Sequence, residues 1–475
     1  MLGYFLSIIL LIEAALLLVP TVVALIYGES VLPFLYTIAL LIVVALPSAI
    51  FRPKNRRIFA KEGFVCVAAA WILMSAFGSL PFVFSGAIPH FVDAFFETVS
   101  GFTTTGASIL PAVEGLPRGI LFWRSFTHWV GGMGVLVFML AILPSAGGQA
   151  MYLMRAEVPG PTKGKLVPKM RQSSLILYGI YLCLSVIMVI ALLLCDMPLY
   201  DALVNTFATA GTGGFSVLNA SIGGYHNPAA EWVIAVFMIV FGINFNLYFF
   251  LLLRRFRDVL RSEELRTYLC IVGFSVLAIA INTARLFATT EACIRTAFFQ
   301  TATIVSTTGF ATTDFNLWPE FSRTLLLLLM IVGSCAGSTA GGLKVSRVII
   351  ILKGIAHSVR GMLHPRAVNV VRMDGEAVED QTVRTSLSYL AIYLFIILVT
   401  FLAISFDGFS METNLSATLA CINNIGPGLG AVGPTGNFGG YSYFSKLLLS
   451  ANMLLGRLEI MPMVILLFPQ TWKRK

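Results

Sequence analysis

The chain has 475 residues, of which 57% are hydrophobic and only 12% are charged, and its mean hydropathy is +0.87. In soluble globular proteins about a quarter of the residues are charged, so this composition excludes that class. The formal net charge of +9 would suit a nucleic-acid-binding protein if the basic residues shared one surface. The seven cysteines are scattered without a Cys-x-x-Cys pair, which indicates neither a disulfide framework nor a metal site.

Apolar runs of about 20 residues, the length that crosses the hydrocarbon core of a bilayer, recur along the whole chain. They predict ten membrane spans, at residues 4–27, 31–51, 60–84, 118–144, 173–195, 228–253, 266–288, 321–352, 385–406 and 443–468. The first is not a cleaved signal peptide, because it lacks a basic segment before it and is too long. Glu13 is a costly residue within this span, and we expect it to serve packing or a dimer contact.

The basic residues divide between the two sides of the predicted membrane. Loops 52–61, 155–171, 254–266, 344–384 and 473–475 hold 25 of the 32 Lys and Arg residues, and they alternate as the cytoplasmic ends of ten spans would. Cytoplasmic loops carry the Lys/Arg excess, so both termini are predicted to be cytoplasmic. The opposite side holds six bases and twelve acids, a net charge near −6 that would concentrate cations at the outer face. The positive net charge therefore reflects membrane topology rather than nucleic-acid binding.

Four short segments lie between the outer ends of paired spans, and each is too short to cross the membrane. They comprise residues 89–100, 198–209, 290–306 and 410–422. Three carry an acid near their first turn (Asp93, Asp201 and Glu412), which suits the positive end of a helix dipole. The partially negative end of each half-helix would then point at the loop that follows it.

Each half-helix is followed by a glycine-containing tetrapeptide. These are Thr-Thr-Gly-Ala (104–107, glycine loop 1), Thr-Gly-Gly-Phe (212–215, glycine loop 2), Thr-Thr-Gly-Phe (307–310, glycine loop 3) and Asn-Ile-Gly-Pro (424–427, glycine loop 4). Their aligned glycines are 108, 95 and 117 residues apart, a period too long for a solenoid. The repeated unit is therefore a larger module of span, half-helix, loop and span.

The sequence thus predicts an all-α polytopic membrane protein in which four such units surround a pseudo-fourfold pore. The predicted parts are an N-terminal hairpin (1–51) and pore repeats at 52–150, 151–260, 261–365 and 366–475. Carbonyl oxygens from four loops around one axis can replace the water shell of a cation. The predicted cation-binding residues are Thr104, Thr105, Gly106, Thr212, Gly213, Gly214, Thr307, Thr308, Gly309, Asn424, Ile425 and Gly426. A single loop of this kind could equally be a tight turn between helices, and it is the fourfold recurrence that favours a pore.

Two features below these loops are candidates for gating. The eighth span is interrupted at 333–342 by four glycines, Gly333, Gly337, Gly341 and Gly342, and Lys344 follows. Each glycine costs a helix roughly 1 kcal/mol relative to alanine, so the helix should unwind there; close packing between helices is the alternative explanation. Arg457 lies in an apolar run, where a charge usually faces a cavity or a partner. We predict that Arg457 is a cationic barrier in the pore, the alternative being a structural arginine satisfied by carbonyls.

The four loops resemble the filter loops of the Trk/Ktr/HKT potassium transporters, with the extra N-terminal hairpin of the bacterial TrkH/TrkG branch. The resemblance covers essentially the whole chain. It implies potassium uptake across the bacterial inner membrane, a homodimer, and a cytosolic TrkA-type nucleotide-binding regulator ring. It also implies that 333–342 is an intramembrane gating loop. Members with Ser at the first filter glycine tend toward sodium, so Gly106 favours potassium.

The chain offers no nucleophile–base set, so no enzyme and no cofactor other than the transported K⁺ are predicted, and any nucleotide would be sensed by the partner. A secondary cation transporter with discontinuous helices, coupled to H⁺ or Na⁺, is the main alternative. Such folds usually contain two inverted repeats, whereas four units of one orientation recur here. A structural or receptor membrane protein is disfavoured by the short loops.

Overall fold

The computed structural model describes residues 2–50, 60–132, 134, 170–364, 370–460, 463–465 and 469. The helices of the first half are α1 Leu2–Leu16, α2 Leu18–Ile26, α3 Leu32–Ile50, α4 Ala60–Gly78, α5 Leu80–Phe84, α6 Phe91–Phe102, α7 Arg118–Gly132, α8 Met170–Leu193, α9 Leu199–Gly211, α10 Pro228–Phe241 and α11 Phe245–Leu252. Those of the second half are α12 Phe256–Arg261, α13 Glu263–Thr283, α14 Thr290–Val305, α15 Glu320–Val332, α16 Val345–Leu363, α17 Asp380–Ile404, α18 Met411–Ile422 and α19 Tyr443–Arg457. A two-residue hairpin, β1 Arg372–Met373 and β2 Glu376–Ala377, precedes α17.

Six helical stretches of the described residues are long and apolar enough to cross a membrane, and one bent pair would make a seventh. The six are Leu2–Ile26, Leu32–Ile50, Glu62–Phe84, Ser174–Leu193, Glu263–Leu286 and Asp380–Asp407. Helices suit this environment because they satisfy every backbone polar group internally where no water is available. The predicted span at 118–144 lies only partly within the described residues, as α7 up to Gly132.

Three predicted spans are not continuous helices. The interruption of the span at 321–352 was expected from its four glycines, whereas the prediction of continuous spans at 228–253 and 443–468 is wrong. The span at 228–253 bends by 91° between α10 and α11, where the Asn244 side chain caps α11 by accepting from the Asn246 amide. The span at 321–352 ends at Val332 and resumes only at Val345. The span at 443–468 ends at Arg457, because Glu459 and Ile460 adopt left-handed backbone angles.

The bend and the break satisfy each other's backbone groups. The Gly242 carbonyl accepts from the Cys335 amide at 3.1 Å, and the Gly337 carbonyl accepts from the Phe245 amide at 3.0 Å. Irregular backbone at membrane depth is tolerated only where such partners or a wet cavity are present. The two interruptions therefore form one buried, non-helical layer.

Four short helices, α6, α9, α14 and α18, lie within two residues of the predicted half-helices. Each has an acid in its first turn, including Glu291 of α14, which the sequence reasoning did not include. Three of them pack against a helix from the preceding part of the chain, α9 on α7, α14 on α10 and α18 on α15, whereas α6 packs on α19 near the end of the chain. Because α6 contacts the last described long helix, the arrangement closes into a circle.

The N-terminal hairpin packs on one side of this circle, with α1 against α3 and α4 and α2 against α7. Glu13 of α1 is fully buried, and its carboxylate lies so close to Gly78 that a Cβ there would be 2.9 Å away. Glu13 is thus a packing residue inside the chain. The expectation of a dimer contact is not met, because its side chain does not reach the surface.

Candidate functional site

The four glycine loops share one backbone pattern. The first residue of each loop has a left-handed φ, and so does the glycine two positions later, whereas φ is not positive at the residue between them. The values are 56° at Thr104, 58° at Thr212, 57° at Thr307 and 54° at Asn424, and 79°, 76°, 84° and 99° at Gly106, Gly214, Gly309 and Gly426. A positive φ is uncommon outside glycine, so four such positions in register mark a specific conformation.

This alternation turns the N–H groups of a loop to one side. The middle amide of each loop donates back into its own short helix: Thr105 to the Ser100 carbonyl (2.8 Å), Gly213 to Ala208 (2.8 Å), Thr308 to Thr303 (2.9 Å) and Ile425 to Ala420 (2.9 Å). Within the described chain, no hydrogen bond reaches the carbonyl oxygens of the twelve residues predicted to bind a cation. Those oxygens are available to a ligand.

The structure brings the four loops together in chain order. A Cβ built on each aligned glycine would meet a carbonyl oxygen of the next loop, namely that of the residue just before the next aligned glycine. The contacts are Gly106 with Gly213, Gly214 with Thr308, Gly309 with Ile425, and Gly426 with Thr105, the last at 2.8 Å. All four glycines also line one outward-opening cavity of about 150 Å³. The loops therefore form a closed ring around a common axis, which we call the glycine ring.

Side chains behind the ring link neighbouring loops. The Asn424 amide donates to the Thr105 hydroxyl and to the Met453 carbonyl, both at 2.9 Å, and the Thr105 hydroxyl lies 2.8 Å from that of Thr103. Glycine loop 4 departs from the Thr-Thr pattern at Asn424. The longer amide side chain spans the gap to glycine loop 1, which a threonine could not do.

The interrupted segment 333–342 lies directly against the ring. The Gly341 amide donates to the Thr307 hydroxyl at 2.7 Å, and the Ser334 hydroxyl donates to the Val305 carbonyl at 2.8 Å. Gly333, Gly337 and Gly342 have φ of 68°, 69° and 78°, angles that glycine adopts without steric cost. A Cβ on Gly341 would collide with the Asn423 carbonyl, so the close approach also requires glycine.

Arg457 is buried and binds three carbonyl oxygens. It donates to Thr339 at 2.7 Å, to Gly131 at 2.5 Å and to Gly132 at 2.6 Å. It therefore ties the interrupted segment to the end of α7. These are the contacts of a carbonyl-satisfied arginine, one of the two roles expected from the sequence. Its charge remains in place, so the barrier role stays a prediction.

The far end of the interrupted segment is held by buried charges. Lys344, 2% exposed, donates to the Ala340 carbonyl, and Arg347 pairs with Glu459. The buried Glu264 carboxylate accepts from the Ala336 amide at 2.7 Å and from the Ser346 amide at 3.2 Å. Glu264 thus bridges the two sides of the break, a role for which its position at the start of α13 gave no signal.

The comparisons with known proteins point to one family. The family model described as TrkH, cation transport protein, matches residues 33–473. The Trk system potassium uptake protein TrkH of Salmonella typhimurium is 35% identical over 469 residues, covering 96% of each chain. TrkG of Escherichia coli K12 is 32% identical over 464 residues, covering 96% of this chain and 95% of its own.

A solved structure gives the same result. The crystal structure of the potassium transporter TrkH from Vibrio parahaemolyticus matches with a TM-score of 0.88 and 31% identity over 99% of both chains. These findings confirm the resemblance stated from the sequence. The relatives are named as transporters rather than enzymes, which confirms the prediction that the chain is not an enzyme.

Proposed function

The chain belongs to the TrkH family of cation transport proteins, and from this membership we propose that it takes up potassium ions through the glycine ring. It is a multi-pass membrane protein, and its relatives are named as potassium uptake proteins of the Trk system. The potassium-binding groups of the proposal are the carbonyls of the twelve residues predicted from the sequence.

One observation carries this proposal: the carbonyls of four loops converge in a closed ring and have no protein partner within the described residues. Oxygen dipoles arranged in this way compensate an ion for its lost hydration shell, and conduction needs sites that hold it only moderately. The oxygens that the ring offers are neutral carbonyls and no fixed carboxylate belongs to the loops, a chemistry suited to a monovalent cation. The four parts 52–150, 151–260, 261–365 and 366–475 then act as quarters of one pore behind the hairpin 1–51.

The segment 333–342 is the proposed gate. It makes up most of the non-helical stretch 333–344 of the eighth predicted span, it contacts the ring through Thr307, and Arg457 ties it to α7. Gly333, Gly337, Gly341 and Gly342 give it the backbone freedom to move, and Lys344 sets its far end. With the gate in this position, Arg457 places a positive charge below the ring that opposes an entering cation.

The surroundings of the pore follow from charge. The Lys/Arg excess of the loops assigned to the inner side supports a topology with both termini in the cytoplasm. The membrane of the proposal is the inner membrane of a bacterial cell. The working unit is a homodimer, and a cytosolic TrkA-type nucleotide-binding ring acts on the basic loop that follows the gate. Charge complementarity would orient such a partner. The chain itself carries no nucleotide in this proposal, and K⁺ is its only ligand.

The test is electrical recording from the purified protein in a planar bilayer under a K⁺ gradient. Discrete single-channel steps that reverse near the potassium equilibrium potential are expected from a pore. Saturable flux that reverses with an imposed H⁺ or Na⁺ gradient would instead support the secondary transporter. Absence of K⁺ flux in both arrangements, with protein that is monodisperse and helical, would refute potassium transport.

A further inference from the structure

A buried ion pair sits beside the outer cavity and takes no part in the function proposed above. The Arg124 guanidinium Nε and the Glu97 carboxylate are 2.7 Å apart, with side chains 4% and 0% exposed. Arg124 also lines the cavity that the four ring glycines share. A pair this deeply buried pays a desolvation cost that only good geometry and further hydrogen bonds can offset. The other contacts of the Glu97–Arg124 pair therefore indicate its role.

The carboxylate of the pair holds the outer end of glycine loop 1. Glu97 accepts from the Ser108 hydroxyl and from the Ile109 amide, both at 2.9 Å. Ser108 lies two residues beyond Gly106, and its own carbonyl accepts from the Phe438 amide at 2.8 Å. Both carboxylate oxygens of Glu97 are thus engaged by the segment immediately outside the ring.

The guanidinium holds the outer end of glycine loop 2. Arg124 donates to the Ser216 carbonyl at 3.2 Å, and its Cζ lies 3.4 Å from the centre of the Phe215 ring. Phe215 directly follows Gly214 and also packs against His128, with ring centres 4.2 Å apart. Arg124 and His128 are one turn apart on α7, so both contacts with this phenylalanine come from the same face of that helix. A planar guanidinium can donate several hydrogen bonds and stack on an aromatic ring at the same time, whereas the ammonium group of lysine cannot.

The arrangement is confined to one junction of the ring. The residues nine positions before the aligned glycines are Glu97, Asn205, Gln300 and Ala417. Only the first is charged. The Gln300 amide reaches the Thr312 hydroxyl at 3.3 Å, within its own part of the chain, and Asn205 donates to the Tyr225 hydroxyl at 3.1 Å. Neither links two glycine loops as the ion pair does.

We propose that Glu97 and Arg124 are positioning residues that fix the register between glycine loops 1 and 2 and thereby set the ion preference of the ring. The inference rests on the proposed function, because it assigns a role in selecting the ion that the ring conducts. The pair is internally neutral, so it acts through geometry, by holding the Thr105 and Gly213 carbonyls at matched positions. A ring with one loosened junction accommodates the smaller Na⁺ more readily.

The test compares the K⁺/Na⁺ permeability ratio of variants in planar bilayers. Arg124→Lys keeps the charge but loses the planar guanidinium, which donates two hydrogen bonds and stacks on Phe215. We expect the K⁺/Na⁺ permeability ratio of this variant to fall about tenfold, equivalent to about 1.4 kcal/mol. Glu97→Gln and the double variant Glu97→Gln/Arg124→Gln should fall by a similar factor. The matched control is Arg295→Lys, since Arg295 pairs with Glu231 at 2.9 Å between α10 and α14, away from the glycine loops. Its ratio should equal that of the parent.

The opposite pattern would overturn the proposal. If charge alone mattered, Arg124→Lys would match the parent. The single variants Glu97→Gln and Arg124→Gln would then change the conductance in opposite directions, and the double variant would recover the parent's conductance. If Arg124→Lys fails to fold, Ser108→Ala is the deciding variant. It removes one contact of Glu97 and the hydrogen bond from the Leu110 amide (3.1 Å), but leaves the ion pair itself in place. An unchanged ratio in this variant also overturns the proposal. A parent protein without K⁺ flux would refute the proposed function instead, and the two failures are therefore distinguishable.

Discussion

Neutralising Arg457 should raise potassium flux through this chain. A unit charge and a permeating cation about 5 Å apart repel by roughly 3 kcal/mol at an effective dielectric constant near 20. That energy corresponds to about a hundredfold in the local occupancy of the cation. We therefore expect Arg457→Gln, which retains an amide donor for the carbonyls but no charge, to increase flux by up to about two orders of magnitude.

The contacts of Arg457 add a second consequence. Its three carbonyl partners belong to the interrupted segment and to the end of α7, and hydrogen bonds to charged groups are worth about 1.5–3 kcal/mol each. Arg457→Lys keeps the charge but cannot span all three oxygens. This variant should retain low flux while the segment becomes easier to displace, so the dependence on the regulatory partner should weaken.

The assay is uptake of radioactive rubidium into vesicles containing equal amounts of parent or variant protein. Circular dichroism and size-exclusion chromatography would establish that each variant is folded. The barrier argument fails if folded Arg457→Gln gives flux equal to or below that of the parent. Arg457 would then be purely structural, a clamp between the segment and α7.

Three further predictions concern the ring, its link to the gate, and the docking of a partner. Gly106→Ser and Gly309→Ser each place a Cβ against a carbonyl of the next loop, at a position with a left-handed φ. Each should lower the K⁺/Na⁺ permeability ratio by about tenfold. Unchanged ratios in both variants would show that these loops do not select the ion. Thr307→Val keeps the side-chain shape but loses the hydrogen bond from Gly341, so basal rubidium uptake should rise by several-fold, about the effect of 1 kcal/mol; uptake identical to the parent would mean that this bond does not restrain the gate. Arg360→Glu, on the exposed surface of α16, should weaken binding of an acidic cytosolic partner in a pull-down while leaving the ion preference intact. Lys353 is unsuitable for this test because it is engaged by Glu263 and the Arg372 carbonyl. Equal binding by the Arg360 variant and the parent would argue against docking at this helix.

The short helices and glycine loops could be predicted because their signals are local. An acid at the start of an amphipathic segment and a glycine at its end are read within about fifteen residues, and the fourfold recurrence placed the loops around one axis. The break at 333–342 was equally visible, since four glycines lie within ten residues. What these patterns could not supply was the identity of the groups that each loop contacts.

The missed features depend on contacts between distant parts of the chain. The 91° bend at 242–244 has no proline, and it is satisfied by amides and carbonyls of a segment some ninety residues later. Arg457 finds its partners 118, 325 and 326 residues away. Glu97 and Arg124 counted in the sequence only as charges of the outer face, because a helical period does not reveal a pairing across 27 residues and an intervening loop.

The central claim is that the carbonyls of the glycine ring select potassium. The most direct measurement is the reversal potential of the purified protein in a bilayer with K⁺ on one side and Na⁺ on the other at equal concentration. We predict a potential displaced strongly in the direction set by K⁺ permeation, and a displacement that shrinks in Gly106→Ser. A reversal potential at zero in the folded parent protein would contradict the claim, because a ring that discriminates the two ions cannot pass them equally.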